Sequence, residues 1–318
     1  MGISHQKLRL GIYQTLVYSK IFNFPLKLKE VIYWLVGIKE MSLLRVEKCL
    51  NSSKYVNNYL GYYSLGLTVD KTSKLKHLVE TRIAREHHSH QKFLIARQTA
   101  KWLRLIPAIE MVAITGTLAV NQAKENDDID MMIVTAPGVL WTTRLFYLAI
   151  LQILGVRRKP LPITKSINNI KMVKNKICPN LLLDRNHCQL PKKQQDIYYA
   201  HEILQVRLLW DRHKTYTKFI NENAWIAKIL PNAWDAKLKE IKLLKTEFQI
   251  DWPELIIRVI CCLLRLAEPI TRSFQLWYMS SKRTRETVTP YMAQFYPIDY
   301  HLIVMKEDER GRELMGIR

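Results

Sequence analysis

Two short apolar runs constrain this chain more than any other feature. A glycine turn follows the first run, and paired aspartates lie at the start of the second. The first run ends at Ile114 and continues into Thr115, Gly116 and Thr117. The second run, Ile129 to Thr135, begins inside the sequence Asp-Asp-Ile-Asp. Apolar runs of this length bounded by turn residues are typical of buried strands. The segment therefore predicts a strand, a tight turn, a short helix and a second strand, as in an α/β domain.

The residue types at the turn and on the second strand indicate phosphate and metal chemistry. Gly116 allows a tight turn and lets a backbone amide approach a phosphate closely. Thr117 begins the short helix, where its amide and hydroxyl can point at an anion. Asp128 and Asp130 are two apart on a strand, so both carboxylates project from one face. Adjacent carboxylates are hard oxygen ligands that suit Mg²⁺, which also binds substrate phosphates.

With ten residues between Thr117 and Asp128, the segment resembles the active-site core of the polymerase-β-type nucleotidyltransferase superfamily. The resemblance implies an α/β (α+β) nucleotidyltransferase core with a small mixed sheet. It also implies transfer of a nucleoside monophosphate from an NTP, the substrate, to an unidentified hydroxyl, with release of pyrophosphate. Asp128 and Asp130 would hold two Mg²⁺ ions, and Gly116 and Thr117 would cradle phosphate.

A third carboxylate comes from a later strand in this superfamily. Asp184 follows the apolar residues 181–183 and is the candidate, so the resemblance implies Asp128, Asp130 and Asp184 as the catalytic residues. A plain turn aspartate at the end of a strand is the alternative interpretation of Asp184. Asp127 is interpreted as a solvated neighbour of the metal ligands.

Two positions depart from the pattern of related small nucleotidyltransferases. Val120 and Asn121 stand where those proteins have Arg and Gly, so one phosphate-binding charge is missing. Thr117 replaces the Ser of many members and keeps the hydroxyl. These departures favour an alternative function, a catalytically inactive nucleotide-sensing adaptor that binds nucleic acid or protein on the same fold.

Residues 1–70 are predicted to form three short helices followed by a β-hairpin. Asparagine, phenylalanine and proline at 23–25 end the first helix, and a glycine with two tyrosines at 61–63 marks the hairpin. This order resembles a winged-helix domain, which is evidence about fold and not about function.

The rest of the chain divides into three predicted parts. Residues 71–107 form a helical linker, and residues 108–195 form the nucleotidyltransferase-like core. Residues 196–318 form a C-terminal helical domain without strands, because apolar positions such as Val206 and Leu208 continue a helical spacing.

The chain carries a formal net charge of +21, which favours acidic partners such as nucleic acid or a nucleotide. Seven basic residues and no acidic one lie between positions 156 and 176, which predicts either a phosphate-binding segment or a solvated loop. The alternative for the whole chain is a Lys-rich surface without a specific anionic partner.

Cysteine usage and apolar stretches bear on the compartment. The five cysteines are odd in number and lack CxxC spacing, which argues against disulfides and a zinc cluster. The N-terminus lacks the apolar core of a signal peptide. Residues 145–156 are too few to span a bilayer, and residues 254–270 are interrupted by charges. We therefore expect a cytoplasmic protein without a membrane span, with both stretches as core helices.

Overall fold

Helices and strands alternate along the chain and build a mixed α+β structure. The computed structural model describes residues 4–66, 71–159, 173–244, 252–280, 287–295 and 300–314. In chain order the elements are α1 (His5–Ile21), β1 (Leu26–Lys27), α2 (Leu28–Tyr33), α3 (Leu43–Asn51), β2 (Val56–Tyr59), β3 (Tyr62–Leu65), α4 (Lys71–Leu103), β4 (Ile109–Ile114), α5 (Gly116–Ala119), β5 (Ile129–Thr135), α6 (Leu140–Ile153), β6 (Ile177–Asp184), α7 (Ile197–Gln205), β7 (Arg207–Asp211), α8 (Thr215–Glu222), α9 (Pro231–Leu243), α10 (Glu254–Ser280), β8 (Thr287–Val288), β9 (Met292–Gln294) and α11 (Tyr300–Leu314).

The N-terminal helices share a small core with a three-stranded antiparallel sheet in the order β1-β3-β2. Ser42 begins α3, and its side-chain oxygen accepts a hydrogen bond from the backbone N–H of Arg45 at 3.4 Å. Leu8, Val31 and Val46 bring one residue from each of the three helices into the core. The three helices and the hairpin predicted for residues 1–70 are present.

The larger sheet has six strands in the order β7-β4-β5-β6-β9-β8. Strands β5 and β6 are parallel, and the other neighbours are antiparallel, so the sheet is mixed. Side chains alternate along β5 between two cores. Met131 and Ile133 pack on the side of α4, α6 and α10, whereas Met132 and Val134 pack on the side of α7, α8 and α9. Helices therefore cover both faces of the central strands.

The expectation that residues 196–318 contain no strand is wrong. Strand β7 pairs with β4, with Trp210 opposite Val112, and β9 pairs with β6. A five-residue strand directly after a helix is too short to display its own period, so Leu208 continued the helical pattern of α7 in the sequence. Strands from the C-terminal part thus form both edges of the six-stranded sheet.

One of the charges that interrupt residues 254–270 contacts a neighbouring helix from α10. The Glu268 carboxylate accepts hydrogen bonds from the backbone N–H groups of Trp141 and Thr142 at 2.7 and 2.8 Å, which caps the start of α6. The opposite face of α10 is apolar but exposed, with Leu266 and Ile270 each 74% exposed. The expected core helix is therefore buried on one face only. No helix in the described part of the chain has the length and apolar character of a membrane span.

The buried Glu110 on β4 makes stability depend on pH. It is 3% exposed, and burial raises the pKa of its carboxyl from about 4.5 to about 7, although Arg185 lies 3.1 Å away and opposes the shift. The folded protein therefore binds this proton more tightly than the unfolded chain does. Stability from this group is complete below pH ~4.5 and is lost as the pH rises towards 7.

We predict that the free energy of unfolding falls less in Glu110→Gln than in the wild type as the pH rises from 5 to 7.5. The reason is that an amide has no proton to release. Urea unfolding at several pH values within that range measures the two slopes. Glu80→Gln, an exposed position on α4, serves as the control and should keep the wild-type slope. Equal slopes for wild type and Glu110→Gln would contradict the assignment.

Candidate functional site

The turn after β4 lies directly against β5. Gly116 adopts a φ of +63°, and the backbone N–H of Thr115 donates to the carbonyl oxygen of Asp130 at 3.1 Å. A Cβ atom on Gly116 would lie 2.7 Å from Asp130 Oδ2. The position therefore requires glycine both for its backbone conformation and for the close approach of a carboxylate. Thr117 is exposed one residue later, within a helix of four residues.

Three potential metal ligands converge beside this turn. Ligand atoms of Asp128, Asp130 and Cys178 all lie within 4.8 Å of one another. Asp130 on β5 pairs with Cys178 on β6 in the parallel register, which places the thiol beside the carboxylates. The sequence predicted the two aspartates and missed the cysteine, because only the pairing of β5 with β6 brings it to the site. We refer to these three residues as the Asp-Asp-Cys cluster.

A guanidinium group lies against the cluster. Arg158 Nη1 is 2.9 Å from Asp128 Oδ2 and donates to Cys178 Sγ at 3.0 Å. The Asp128 oxygen is buried and is in ion-pair contact but has no hydrogen bond within the described residues. Arg158 belongs to the basic run at 156–176, of which Lys165 and Lys171 lie outside the described residues. A positive charge is thus already attracted to the position where the acidic groups meet.

Burial holds the cluster short of full ionisation. Burial and the negative charge of Asp128 together raise the pKa of Asp130 to about 8, and Arg158 opposes both. Burial likewise raises the pKa of the Cys178 thiol to about 12, with Asp130 adding to the effect and Arg158 opposing it. A bound cation would favour the ionised forms of both groups, because opposite charge stabilises an anion in a buried site.

A cleft next to the turn after β4 is lined by residues of that turn and of β6, α7 and β9, among others. Thr115, Leu181, Glu202 and Gln294 contribute to its wall. Burial raises the pKa of Glu202 to about 7, and this carboxylate in turn raises the pKa of Asp130. Glu202 lies outside the 4.8 Å cluster and lines the cleft, to which the three cluster residues do not themselves contribute. It is a functional candidate that comes from α7, far away in sequence.

The structure does not bring Asp184 to the other two aspartates. Asp184 pairs with Thr135 at the far end of β5, whereas Cys178 pairs with Asp130. Six residues along a strand correspond to about 20 Å. The Asp184 carboxylate accepts the backbone N–H of Gly138 at 2.6 Å and that of Asn186 at 2.8 Å. The structure therefore places Asp184 away from the Asp-Asp-Cys cluster, where its carboxylate fixes the turn between β5 and α6.

Lys92 on α4 fixes the loop that precedes Asp128. The residue is 1% exposed, and its ammonium group contacts the loop. Asp127 contributes its carbonyl to this contact, and its carboxylate accepts a backbone N–H at 2.8 Å, which gives it a structural role. The ammonium donates to three oxygens: Glu125 O at 3.0 Å, Asp127 O at 2.7 Å and Asn175 Oδ1 at 2.7 Å.

Comparisons of the chain with protein-family models, with curated proteins and with solved structures gave no match. The function of the chain must therefore be inferred from the residues of the cluster and of the adjoining cleft.

We predict that Gly116→Ala destabilises the protein by about 3 kcal/mol. Roughly 1 kcal/mol arises from a non-glycine residue at positive φ and the rest from the contact with the Asp130 carboxylate. Gly155→Ala is the matched control, because Gly155 has a φ of +67° and no atom within 4 Å of the added Cβ. It should lose only about 1 kcal/mol in urea unfolding. Equal losses of unfolding free energy in the two variants would show that the added Cβ at position 116 does not clash with the Asp130 carboxylate.

Proposed function

We propose that the chain is a divalent-metal-dependent nucleotidyltransferase that transfers a nucleoside monophosphate from an NTP to a hydroxyl acceptor and releases pyrophosphate. The observation that carries the proposal is the contact between the glycine turn after β4 and the Asp130 carboxylate on β5, where a Cβ on Gly116 would lie 2.7 Å from Asp130 Oδ2. A phosphate at this turn would lie next to a cation held by Asp128 and Asp130.

The residues present fit a divalent cation. Asp128 and Asp130 offer hard oxygen ligands, and Mg²⁺ commonly uses only one or two protein carboxylates together with water and substrate phosphates. The guanidinium of Arg158, 2.9 Å from the buried Asp128 oxygen, indicates a position that accommodates positive charge. When bound there, Mg²⁺ would compensate the charge of the triphosphate.

The chain's own residues would position the substrate and compensate its charge. Gly116 would let a phosphate approach the backbone of the turn closely. Arg207, on β7 opposite Ile114, donates to Asn121 Oδ1 at 2.8 Å and supplies a guanidinium near the place where Val120 lacks one. Glu202, whose pKa burial raises to about 7, would accept the proton of the acceptor hydroxyl from the wall of the cleft.

The N-terminal part is proposed to be winged-helix-like, which the order α1-β1-α2-α3-β2-β3 and the sheet order β1-β3-β2 support. This unit packs against the rest of the chain. Gly37 N–H donates to Ile229 O at 2.8 Å, and Asn232 Nδ2 donates to the carbonyls of Ile32 and Ile38 at 2.9 and 3.0 Å. These contacts favour internal packing or a protein contact for the unit over recognition of nucleic acid.

A second candidate function is a nucleotide-sensing adaptor without catalysis. The contact of Arg158 with both Asp128 and Cys178 favours it, because a guanidinium then neutralises the carboxylate that a metal needs. Among the described residues the cluster also contains two carboxylates and a thiol in place of three carboxylates. In this case the protein would bind an NTP without transferring it.

We predict that α-phosphate-labelled NTP, supplied as each of the four nucleotides with Mg²⁺ and cell extract, labels an acceptor when the wild type is present. The double variant Asp128→Asn/Asp130→Asn should lose about 100-fold or more of this activity, since it removes both carboxylate ligands. Asp127→Asn is the matched control and should label normally, because its carboxylate caps a loop.

Label transfer that is unchanged in the double variant would contradict the proposal. NTP binding in titration calorimetry without transfer of any of the four labels would also reject the transferase and support the adaptor.

A further inference from the structure

The third donor of the Asp-Asp-Cys cluster differs in chemistry from the other two. A thiol sulfur is a soft ligand, whereas carboxylate oxygens are hard, and metal ions discriminate between them. Cys178 is held opposite Asp130 by the register of β5 and β6, so its place in the cluster follows from backbone pairing. Any cation bound by Asp128 and Asp130 would have this sulfur within reach, because all three ligand atoms lie within 4.8 Å of one another.

Two further observations indicate that the cluster accommodates a cation. The guanidinium of Arg158 already contacts both kinds of donor, at 2.9 Å from the Asp128 carboxylate and 3.0 Å from the Cys178 sulfur. The contacted Asp128 oxygen is buried, and the Arg158 guanidinium compensates its charge without a hydrogen bond of good geometry. A carboxylate oxygen removed from water needs such a positive charge, which a metal ion bound directly to it would also supply.

We propose that Asp128, Asp130 and Cys178 form a three-ligand site for one borderline divalent cation, Zn²⁺ or Co²⁺, in preference to Mg²⁺. The inference rests on the proposed function in that both use the carboxylates of Asp128 and Asp130. Thiolate ligands select for Zn²⁺ over Mg²⁺, and three protein ligands with an open fourth position are the arrangement of zinc sites that bind substrate. The open position would accept a phosphate oxygen of the nucleotide.

Metal binding at this site replaces one cation by another. The S–H bond of Cys178 breaks, its proton passes to solvent, and a sulfur–metal bond forms from the thiolate electron pair. Arg158 is displaced from Asp128 and Cys178, and its guanidinium becomes available to the phosphates of the nucleotide. The site therefore holds a cation in both states, an arginine without metal and the metal ion with it.

The test is a titration of the chelator-treated full chain with CoCl₂ in the absence of nucleotide. A cobalt–thiolate bond gives a charge-transfer absorption in the near ultraviolet. We predict this band in the wild type, its loss when Zn²⁺ is added at equal concentration, and its persistence in a roughly 100-fold excess of Mg²⁺. Cys178→Ser should abolish the band and weaken Co²⁺ binding about tenfold or more.

Three variants sharpen the test. Cys262→Ser, at an exposed cysteine outside the cluster, should keep the band. Cys178→Asp should lose the band, still bind metal and shift its preference towards Mg²⁺, because all three donors are then oxygen. Arg158→Gln should bind Co²⁺ several-fold more tightly, since the competing cation is gone. Circular dichroism confirms that each variant is folded.

Folded wild-type protein that binds no Co²⁺, or binds it without the thiolate band, would overturn the inference, as would a band that survives in Cys178→Ser. The outcome is separable from that of the proposed function. If the cobalt–thiolate band is present but no label is transferred, the transferase function is rejected and the metal site is retained. If Mg²⁺ supports equal label transfer by the wild type and Cys178→Ser, the transferase function is retained and Cys178 is rejected as a metal ligand.

Discussion

The parallel pairing of β5 with β6 is the constraint on which the candidate site depends. It sets Cys178 opposite Asp130 at one end of the strands and Asp184 opposite Thr135 at the other. Side chains alternate along a strand, so a shift of one residue would turn the cysteine to the opposite face of the sheet. A single register thus decides which side chain completes the cluster and which one fixes a distant turn.

Charge compensation is the second requirement of the candidate site, which consists of the Asp-Asp-Cys cluster and the nearby Glu202. Burial raises the pKa of Asp130 to about 8 and that of Glu202 to about 7, so both carboxylates resist ionisation without a nearby cation. Lys92 satisfies the carbonyls of the preceding loop and Arg158 contacts the cluster itself. Two basic side chains therefore lie near this site, and a cation bound by the cluster would favour the ionised forms of Asp130 and Cys178.

The parts of the site that are local in sequence could be predicted, and the parts that depend on distant pairing could not. Strand β5 was predicted with the observed bounds, Ile129 to Thr135, because its apolar run is long and is bounded by charged and turn residues. The glycine turn followed from the same segment.

Cys178 and Glu202 reach the site from strand and helix elements that lie far along the chain, and no spacing in the sequence encodes that proximity. Asp184 ends its strand, but the sequence does not show whether β6 runs parallel or antiparallel to β5, and this direction decides at which end of β5 the carboxylate lies. Strand β7 was missed because its five residues directly follow the apolar pattern of α7.

The most direct test of this account is anomalous diffraction from crystals grown with Zn²⁺. The account predicts one metal peak bound by Asp128, Asp130 and Cys178, with a zinc–sulfur distance of about 2.3 Å and zinc–oxygen distances of about 2.0–2.2 Å. Arg158 should be displaced from Asp128, and Asp184 should remain on the backbone N–H of Gly138. A peak bound by Asp184, or a cluster without metal in which Arg158 still contacts Asp128 and Cys178, would contradict it.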